Sequence, residues 1–338
     1  MTRLGLGCIT PVYGLVINGR NRKFDRAIQE NDQNVVKRAG IPVISVGNLT
    51  TGGTGKTPLV IWIAKWLREQ NLRAVLISRG YTSGSNENQG RNDEAIEMEH
   101  RLPDVPHLQD ADRFRMASIA VEELESQVIV LDDGFQHRKL HRDLDFVLID
   151  ATNPFGFGRL LPRGLLREPK SSLSRADLVV ITRANLVSAQ TVQEIESQIR
   201  QHSQNVPIAK TQTVFTKLLQ SSGAEIGFSD LGNQPVFVFC GIGNPDNFKD
   251  SLEAIGINVC GTLPFPDHHE FQREDLQLIG EKAKQLNASA ILCTHKDHVK
   301  VAVDRVAGIP LYAALIDVEF CDGEDKVTNM LEMLVSAV

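Results

Sequence analysis

The stretch "GNLTTGGTGKTP" (47–58) has nearly the spacing of a phosphate-binding loop, G-x-x-x-x-G-K-[ST]. Counting back from Lys56 and Thr57, the first glycine of that pattern is Thr50. Gly52, Gly53 and Gly55 still supply three flexible positions, and with Thr50, Thr51 and Thr54 they form a run whose backbone N–H groups can surround phosphates. Lys56 is placed to bridge β- and γ-phosphates, and the Thr57 hydroxyl to meet Mg²⁺. Such a loop needs a carboxylate on a neighbouring strand for the metal. "VIVLDDGFQ" offers Asp132 and Asp133 after four aliphatics, with Asp150, closing "FVLID", as a weaker second candidate. A Gly-rich turn and an Asp-Asp-Gly turn without chemistry are the plain readings of either motif alone; their coexistence favours a nucleotide site.

Other polar groups rank lower. His137 and His141 in "HRKLH" have the i, i+4 spacing of a zinc helix, but the glutamate of H-E-x-x-H is missing and the segment is strongly basic. "VVITRAN" (179–185) reads as an ordinary strand exit, a base contact being the other reading. Arg159, Arg163 and Arg167 lie in "GRLLPRGLLREP", a Pro/Gly-rich loop in which spaced arginines can clamp an anion.

Elements that position these residues are visible as alternation. "PVISV", "AVLIS", "QVIVLD", "DFVLID" and "DLVVIT" are near-continuous apolar runs, as in parallel strands covered on both faces. Between the first two, Leu59, Val60, Ile63, Ala64 and Leu67 make a helical stripe directly after the loop. After the turn-rich 221–235, the alternation restarts in "VFVFC", "INVCGTLPFP", "SAILCT" and "YAALIDVEF". The expectation is an α/β fold: a P-loop NTPase-like, mostly parallel sheet flanked by helices, with a second, smaller α/β domain. Its parts are 1–30, an N-terminal membrane-interfacial helical segment; 31–225, the P-loop kinase domain; and 226–338, a smaller α/β domain contributing to the active site.

Bulk properties narrow the function. A net charge of −6 over 338 residues argues against a general nucleic-acid binder. The first forty residues nevertheless carry seven Lys/Arg against three acids. An apolar run from Leu4 to Gly19 precedes Arg20, Arg22, Lys23 and Arg26; it is too short and broken for a spanning helix and suits either an interfacial element or a buried first helix. Five cysteines, odd in number and without a C-x-x-C pair, fit reduced thiols.

With "ISRGY", "DDGFQHRKLHRDLDFVLIDA", "GRLLPRGLLREP" and "FPDHHEF" following the loop in that order, the chain resembles the tetraacyldisaccharide 4′-kinase family of lipid A biosynthesis over about residues 40–300. That family's loop also lacks the first glycine. The resemblance implies ATP and Mg²⁺, a γ-phosphate transfer to the 4′-hydroxyl of a tetraacyldisaccharide 1-phosphate lipid, and a peripheral place on the cytoplasmic face of the bacterial inner membrane. It implies no obligatory protein partner. By the same resemblance, Asp93 is the catalytic aspartate and His268 its partner, Arg167 and Glu168 line the transfer site, and Asp132 and Asp133 serve the metal. Asn92 stands where the family has glycine, and His295, in "THKD", where it has glutamate. Placing Asp93 in the first domain and His268 in the second predicts that closure assembles the pair. The other readings are a P-loop ATPase switch or partitioning module, which Thr51 in place of its signature lysine disfavours, and a small-metabolite kinase, which leaves the basic-apolar N-terminus unexplained.

Overall fold

The structure, a computed structural model, describes residues 3–80, 93–243, 245–267 and 269–336; the side chains of 3–9 and of Asp93 fall outside that description. His268 lies outside the described residues altogether. In chain order the first elements are α1 (Arg3–Gln29), β1 (Val43–Asn48), α2 (Lys56–Glu69), β2 (Ala74–Ser78), α3 (Asp93–Arg101), β3 (His107–Gln109) and α4 (Arg113–Glu122). They are followed by β4 (Val128–Asp132), β5 (Leu144–Asp150), β6 (Leu178–Thr182), α5 (Ala189–Arg200), β7 (Ile208–Leu219) and β8 (Glu225–Ile226). Next come β9 (Val236–Cys240), α6 (Pro245–Ala254), β10 (Val259–Pro264), α7 (Arg273–Gln285) and β11 (Ala290–Thr294). The chain ends with α8 (His295–Val301), β12 (Arg305–Val306), β13 (Ile309–Asp322) and α9 (Glu324–Val335).

Two compact units result: residues 1–91, 101–213 and 318–338 form the first, and 92–100 with 214–317 the second. The division falls inside the long strands β7 and β13, so α9 belongs with the first unit. The helix opened by Asp93 packs in the second unit, not with the P-loop as its sequence position suggests.

In the first unit the strands lie in the order β7-β6-β5-β1-β4-β2-β3, all parallel. Every residue of β1, β2, β4, β5 and β6 is buried, as unbroken aliphatic runs require when helices cover both faces. The helical stripe after the loop buries Leu59, Val60, Ile63, Ala64 and Leu67, with Ile61, in α2. Each of these Leu, Val and Ile side chains stabilises the unit by about 1.5–3 kcal/mol. Central β1 pairs with β4 on one side and β5 on the other, and chain direction through the sheet reverses there. Ligands of open α/β sheets sit beyond the carboxyl ends of strands at such a point. Register places Val46 opposite Asp132, which brings that carboxylate to the mouth of the loop leaving β1. Gly47 permits the approach: a Cβ there would lie 2.5 Å from the Cβ of Phe135.

The second unit has its own parallel strands, β10-β9-β11-β13, with β12 antiparallel to β13. Its core joins Phe237, Phe239, Ile279, Ile291 and Leu311 on one face and Val236, Val238, Phe248, Leu252 and Leu292 on the other.

Candidate active site

Thr50 is tolerated in the loop for a reason its neighbours supply. It forms an isolated antiparallel bridge with Leu166. The Thr51 amide donates to the Leu165 carbonyl at 2.8 Å, and the Arg167 amide to the Leu49 carbonyl at 2.7 Å. The backbone at Thr50 therefore runs as a strand and needs no left-handed residue. Positive φ is confined to Gly52 (106°) and Gly55 (81°) within the loop. Stitching 49–51 to 165–167 also delivers Arg167 to the site.

Gly55 caps α2 without any side-chain bond, whereas α4, α5 and α8 are capped by Asp112, Ser188 and Thr294. The first-turn amides of α2 are thus left for an anion, with the helix dipole behind them. Asn48 Nδ2 donates to Thr54 Oγ1 at 2.9 Å, Thr182 Oγ1 to the Thr54 carbonyl at 2.9 Å, and Gln136 Nε2 to the Asn48 carbonyl at 2.9 Å.

Three charges meet at the end of β4. Lys56 Nζ lies 3.6 Å from Asp133 Oδ1, and Arg167 Nη1 donates to Asp133 Oδ2 at 2.7 Å. Burial acts to raise the Asp133 pKa, but the charges of Lys56 and Arg167 prevail and hold it below the usual carboxylate range. The residue is therefore ionised at neutral pH. Asp132, buried at the end of β4, sits one residue away, and Thr57 lies in the first turn of α2.

Glu168 is differently employed. Fully buried, it accepts from Arg175 Nη2 and from Asn21 Nδ2, each at 2.8 Å. Burial pushes its pKa up, yet Arg175 first, and then bonds from Arg175, Ser172 and Asn21, bring it below the ordinary value. Its carboxylate is occupied by α1 and by Arg175. The same helix is tied down by Arg138 Nη1 to the Asn21 carbonyl (3.0 Å), Arg138 Nη2 to Asp25 Oδ1 (2.7 Å), Arg20 Nη2 to the Gln136 carbonyl (2.5 Å) and Tyr13 Oη to the Arg167 carbonyl (2.9 Å). Its buried positions Gly14, Asn21, Phe24 and Ala27 follow a helical period. Val12, Leu15 and Val16 face outward and are at least 60% exposed. Arg22, Lys23 and Arg26 are exposed one to three turns later. No helix among the described residues is long and apolar enough to cross a membrane.

The structure thus brings together Thr50 to Thr57, Asp132, Asp133 and Arg167. Asp93 enters only as the backbone start of α3, and His268 lies outside the described residues. Because α3 is grouped with 214–317, Asp93 does not belong to the P-loop unit in which its sequence position placed it. His269 is committed: Nε2 lies 2.9 Å from Asp275 Oδ2 and the ring stacks on Phe265 at 4.8 Å. Asp150 pairs with Arg183 and accepts from the Thr152 amide and hydroxyl, which removes it from the metal candidates. Residues 137–141 are not helical, so the spacing of His137 and His141 does not align them. Sequence reading passed over Asn48, Gln136 and Thr182, polar residues at strand ends whose spacing to the loop is set only by the sheet.

A parallel sheet with a glycine-rich loop, an uncapped helix and a Lys–Asp–Arg cluster at its switch point defines a P-loop nucleotide-binding protein. Comparison with known proteins narrows the class. The family model for tetraacyldisaccharide-1-P 4′-kinase, LpxK, matches residues 3–336, and the chain belongs to this family. A tetraacyldisaccharide 4′-kinase of Halothermothrix orenii is 41% identical over 328 residues, covering 89% of this chain and 83% of that protein. One of Geobacter sulfurreducens is 33% identical over 327 residues, covering 92% and 88%. The crystal structure described as the "apo" form of LpxK from Aquifex aeolicus in complex with ATP superposes with a TM-score of 0.76 at 31% identity, covering 99% of this chain and all of that one.

Proposed function

We propose that the protein transfers the γ-phosphate of ATP to the 4′-hydroxyl of a tetraacyldisaccharide 1-phosphate, the reaction of lipid A biosynthesis for which its relatives are named. The observation that carries this reading is the cluster of Lys56, Asp133 and Arg167 at the open N-terminus of α2. Loop amides and the α2 dipole hold the phosphates, and Lys56 neutralises charge shared between the β- and γ-positions. Arg167, carried beside the loop by its bonds to Leu49, supplies a further cation to the transferring group.

The residues fit Mg²⁺. Asp133 keeps an ionised carboxylate whose Oδ1 accepts no hydrogen bond among the described residues. Hydroxyl, carboxylate and phosphate oxygens are the donors that ion prefers, with few protein ligands needed. Thr57 and Asp132 would hold it, with Asp133 beside them; the ion supplies charge neutralisation and alignment of phosphate oxygens. Asp93 is the base for the sugar hydroxyl and His268 its partner, as the family resemblance implies. Glu168 serves the site by fixing α1 and the 165–167 segment.

The outward apolar side of α1 followed by its basic residues suits the surface of an anionic membrane, where the acyl chains of the acceptor remain. Peripheral attachment at the cytoplasmic face follows from that reading.

Transfer of ³²P from labelled ATP to a tetraacyldisaccharide 1-phosphate in detergent micelles tests the function. Wild-type protein should phosphorylate the lipid and leave ATP intact without acceptor; Lys56→Ala and Asp93→Asn should not phosphorylate it. Acceptor-independent ATP hydrolysis without lipid product would sink the kinase reading in favour of a switch. Replacing Val12, Leu15 and Val16 together by Ser should release the protein from anionic vesicles in a co-sedimentation assay; full retention would refute the docking role.

A further inference from the structure

Arg183 ends β6 in a left-handed backbone conformation, φ 55° and ψ 35°, that residues with a Cβ seldom adopt. The conformation aims its side chain at the phosphate loop. Arg183 Nη1 donates to the Gly53 carbonyl at 3.0 Å and pairs with the Asp150 carboxylate. That carboxylate is itself fixed by the Thr152 amide at 3.0 Å and hydroxyl at 2.7 Å. One residue earlier, Thr182 Oγ1 holds the next loop carbonyl, that of Thr54.

A planar trans peptide points its C=O and the following N–H in opposite directions. Holding the Gly53 carbonyl outward therefore turns the Thr54 amide away from Arg183, and holding the Thr54 carbonyl does the same for the Gly55 amide. Consecutive amides aimed together form an anion-binding concavity. The first glycine of the usual loop is missing here, and one side of the loop is fixed instead by the Thr50–Leu166 bridge. The other side is fixed from β6.

We propose that Arg183, braced by Asp150, is a positioning residue that orients the phosphate-loop amides of an ATP site, and that this, not contact with the base, is its role. The proposal rests on the reading of residues 50–57 as the ATP loop. It assigns Asp150 to the loop's support and makes the end of β6 a determinant of affinity for the β-phosphate, whichever base the nucleotide carries.

The test is displacement of a fluorescent ATP analogue by ATP, ADP, AMP and GTP from the full-length protein, with Lys56→Ala as control. Losing one charge-assisted hydrogen bond typically weakens binding by about 10–150-fold. Arg183→Gln should weaken ATP, ADP and GTP by about tenfold, change AMP less than about twofold, and leave kcat at saturating ATP within about twofold of wild type. Arg183→Lys, which keeps charge but cannot span both partners, should fall between. Asp150→Asn should act in the same direction, and added to Arg183→Gln should weaken binding no further. If Arg183→Gln does not fold, Asp150→Asn and Arg183→Lys carry the test. Unchanged ATP and ADP affinity in the folded variants, or a loss equal for AMP and ADP or specific to adenine nucleotides, overturns the proposal. Normal ATP binding by Lys56→Ala would instead refute the loop assignment beneath it.

Discussion

Parallel strands β4 and β11 both deliver an aspartate at or just beyond their carboxyl ends, and the two carboxyls are treated oppositely. Asp133, after β4, is pulled below the ordinary carboxylate pKa by Lys56 and Arg167 in spite of burial. Asp297, three residues after β11, is fully buried and raised, burial outweighing its bonds from Thr294 and the Gly241 amide and the charges of Lys300 and Lys296. Its Oδ2 accepts from Thr294 Oγ1 at 2.6 Å and from the Gly241 amide at 3.0 Å. Position at a strand end therefore does not make a carboxylate functional. What separates them is the adjacent cations: two side chains reach Asp133 and keep it charged, while Asp297 is turned inward to hold a loop and a helix start.

Charge removal should expose that contrast most strongly. Asp133→Asn should lower phosphate transfer about 10²–10³-fold, the scale of one preorganised charge at a transferring group, while the melting temperature stays close to wild type. Asp297→Asn should do neither, because the amide oxygen can still accept from Thr294 Oγ1 and the Gly241 amide; a large kcat loss there would break the comparison. Asp297→Ala should instead destabilise the second unit by about 3 kcal/mol, read by denaturant unfolding, since the Gly241 amide loses its partner.

Acid should act on the second unit through a neighbour. His298 has its pKa lowered from 6.5 to about 4, by burial first and then by the positive potential of His295. The unfolded chain takes up this proton near its ordinary value and the folded one does not. Its contribution to stability is thus complete above pH 6.5 and is lost as pH falls towards 4, on the order of 3 kcal/mol. His137 follows the same direction in the first unit, also to about 4. Melting temperatures between pH 7 and pH 4 should fall less steeply for His298→Gln; an unchanged slope would remove this histidine from the acid response.

The smallest expected effect lies within the loop. Gly52 has φ 106° and Gly53 has no positive φ, although a Cβ would find open space at both. Gly52→Ala should weaken ATP binding by roughly 1–2 kcal/mol through backbone strain, and Gly53→Ala by less than half of that. Equal penalties would mean that proximity of the phosphates, and not φ, selects glycine there.

The P-loop, its strand and helix, and the carboxylate pair were legible because each is local: an aliphatic run, a 3.6-residue stripe, a fixed spacing. Thr50 was legible only as an exception, since the strand that accommodates it lies 116 residues away at Leu166. Glu168 illustrates the same limit. Its sequence neighbour Arg167 reaches Asp133, yet its own partners come from residues 21 and 175, which no spacing rule connects. Arg183 sat in a motif whose alternative reading was a base contact, and only the tertiary structure shows its guanidinium on a loop carbonyl. The unit boundary was hidden for a different reason: β7 and β13 pass through it without the turn residues that usually announce one.

The way α1 is fastened decides how it can be studied. Asn21 satisfies the buried carboxylate of Glu168, and Asp25 together with the Asn21 carbonyl satisfies the buried guanidinium of Arg138. Amputating the first 26 residues would strip buried Arg138 of its counterion and leave buried Glu168 with Arg175 but without its Asn21 donor, so a truncated enzyme that falls silent would report a ruptured scaffold and say nothing about lipid adhesion. This helix is a keystone of the first unit, and only substitutions on its outer surface can test the proposed docking without collapsing the fold.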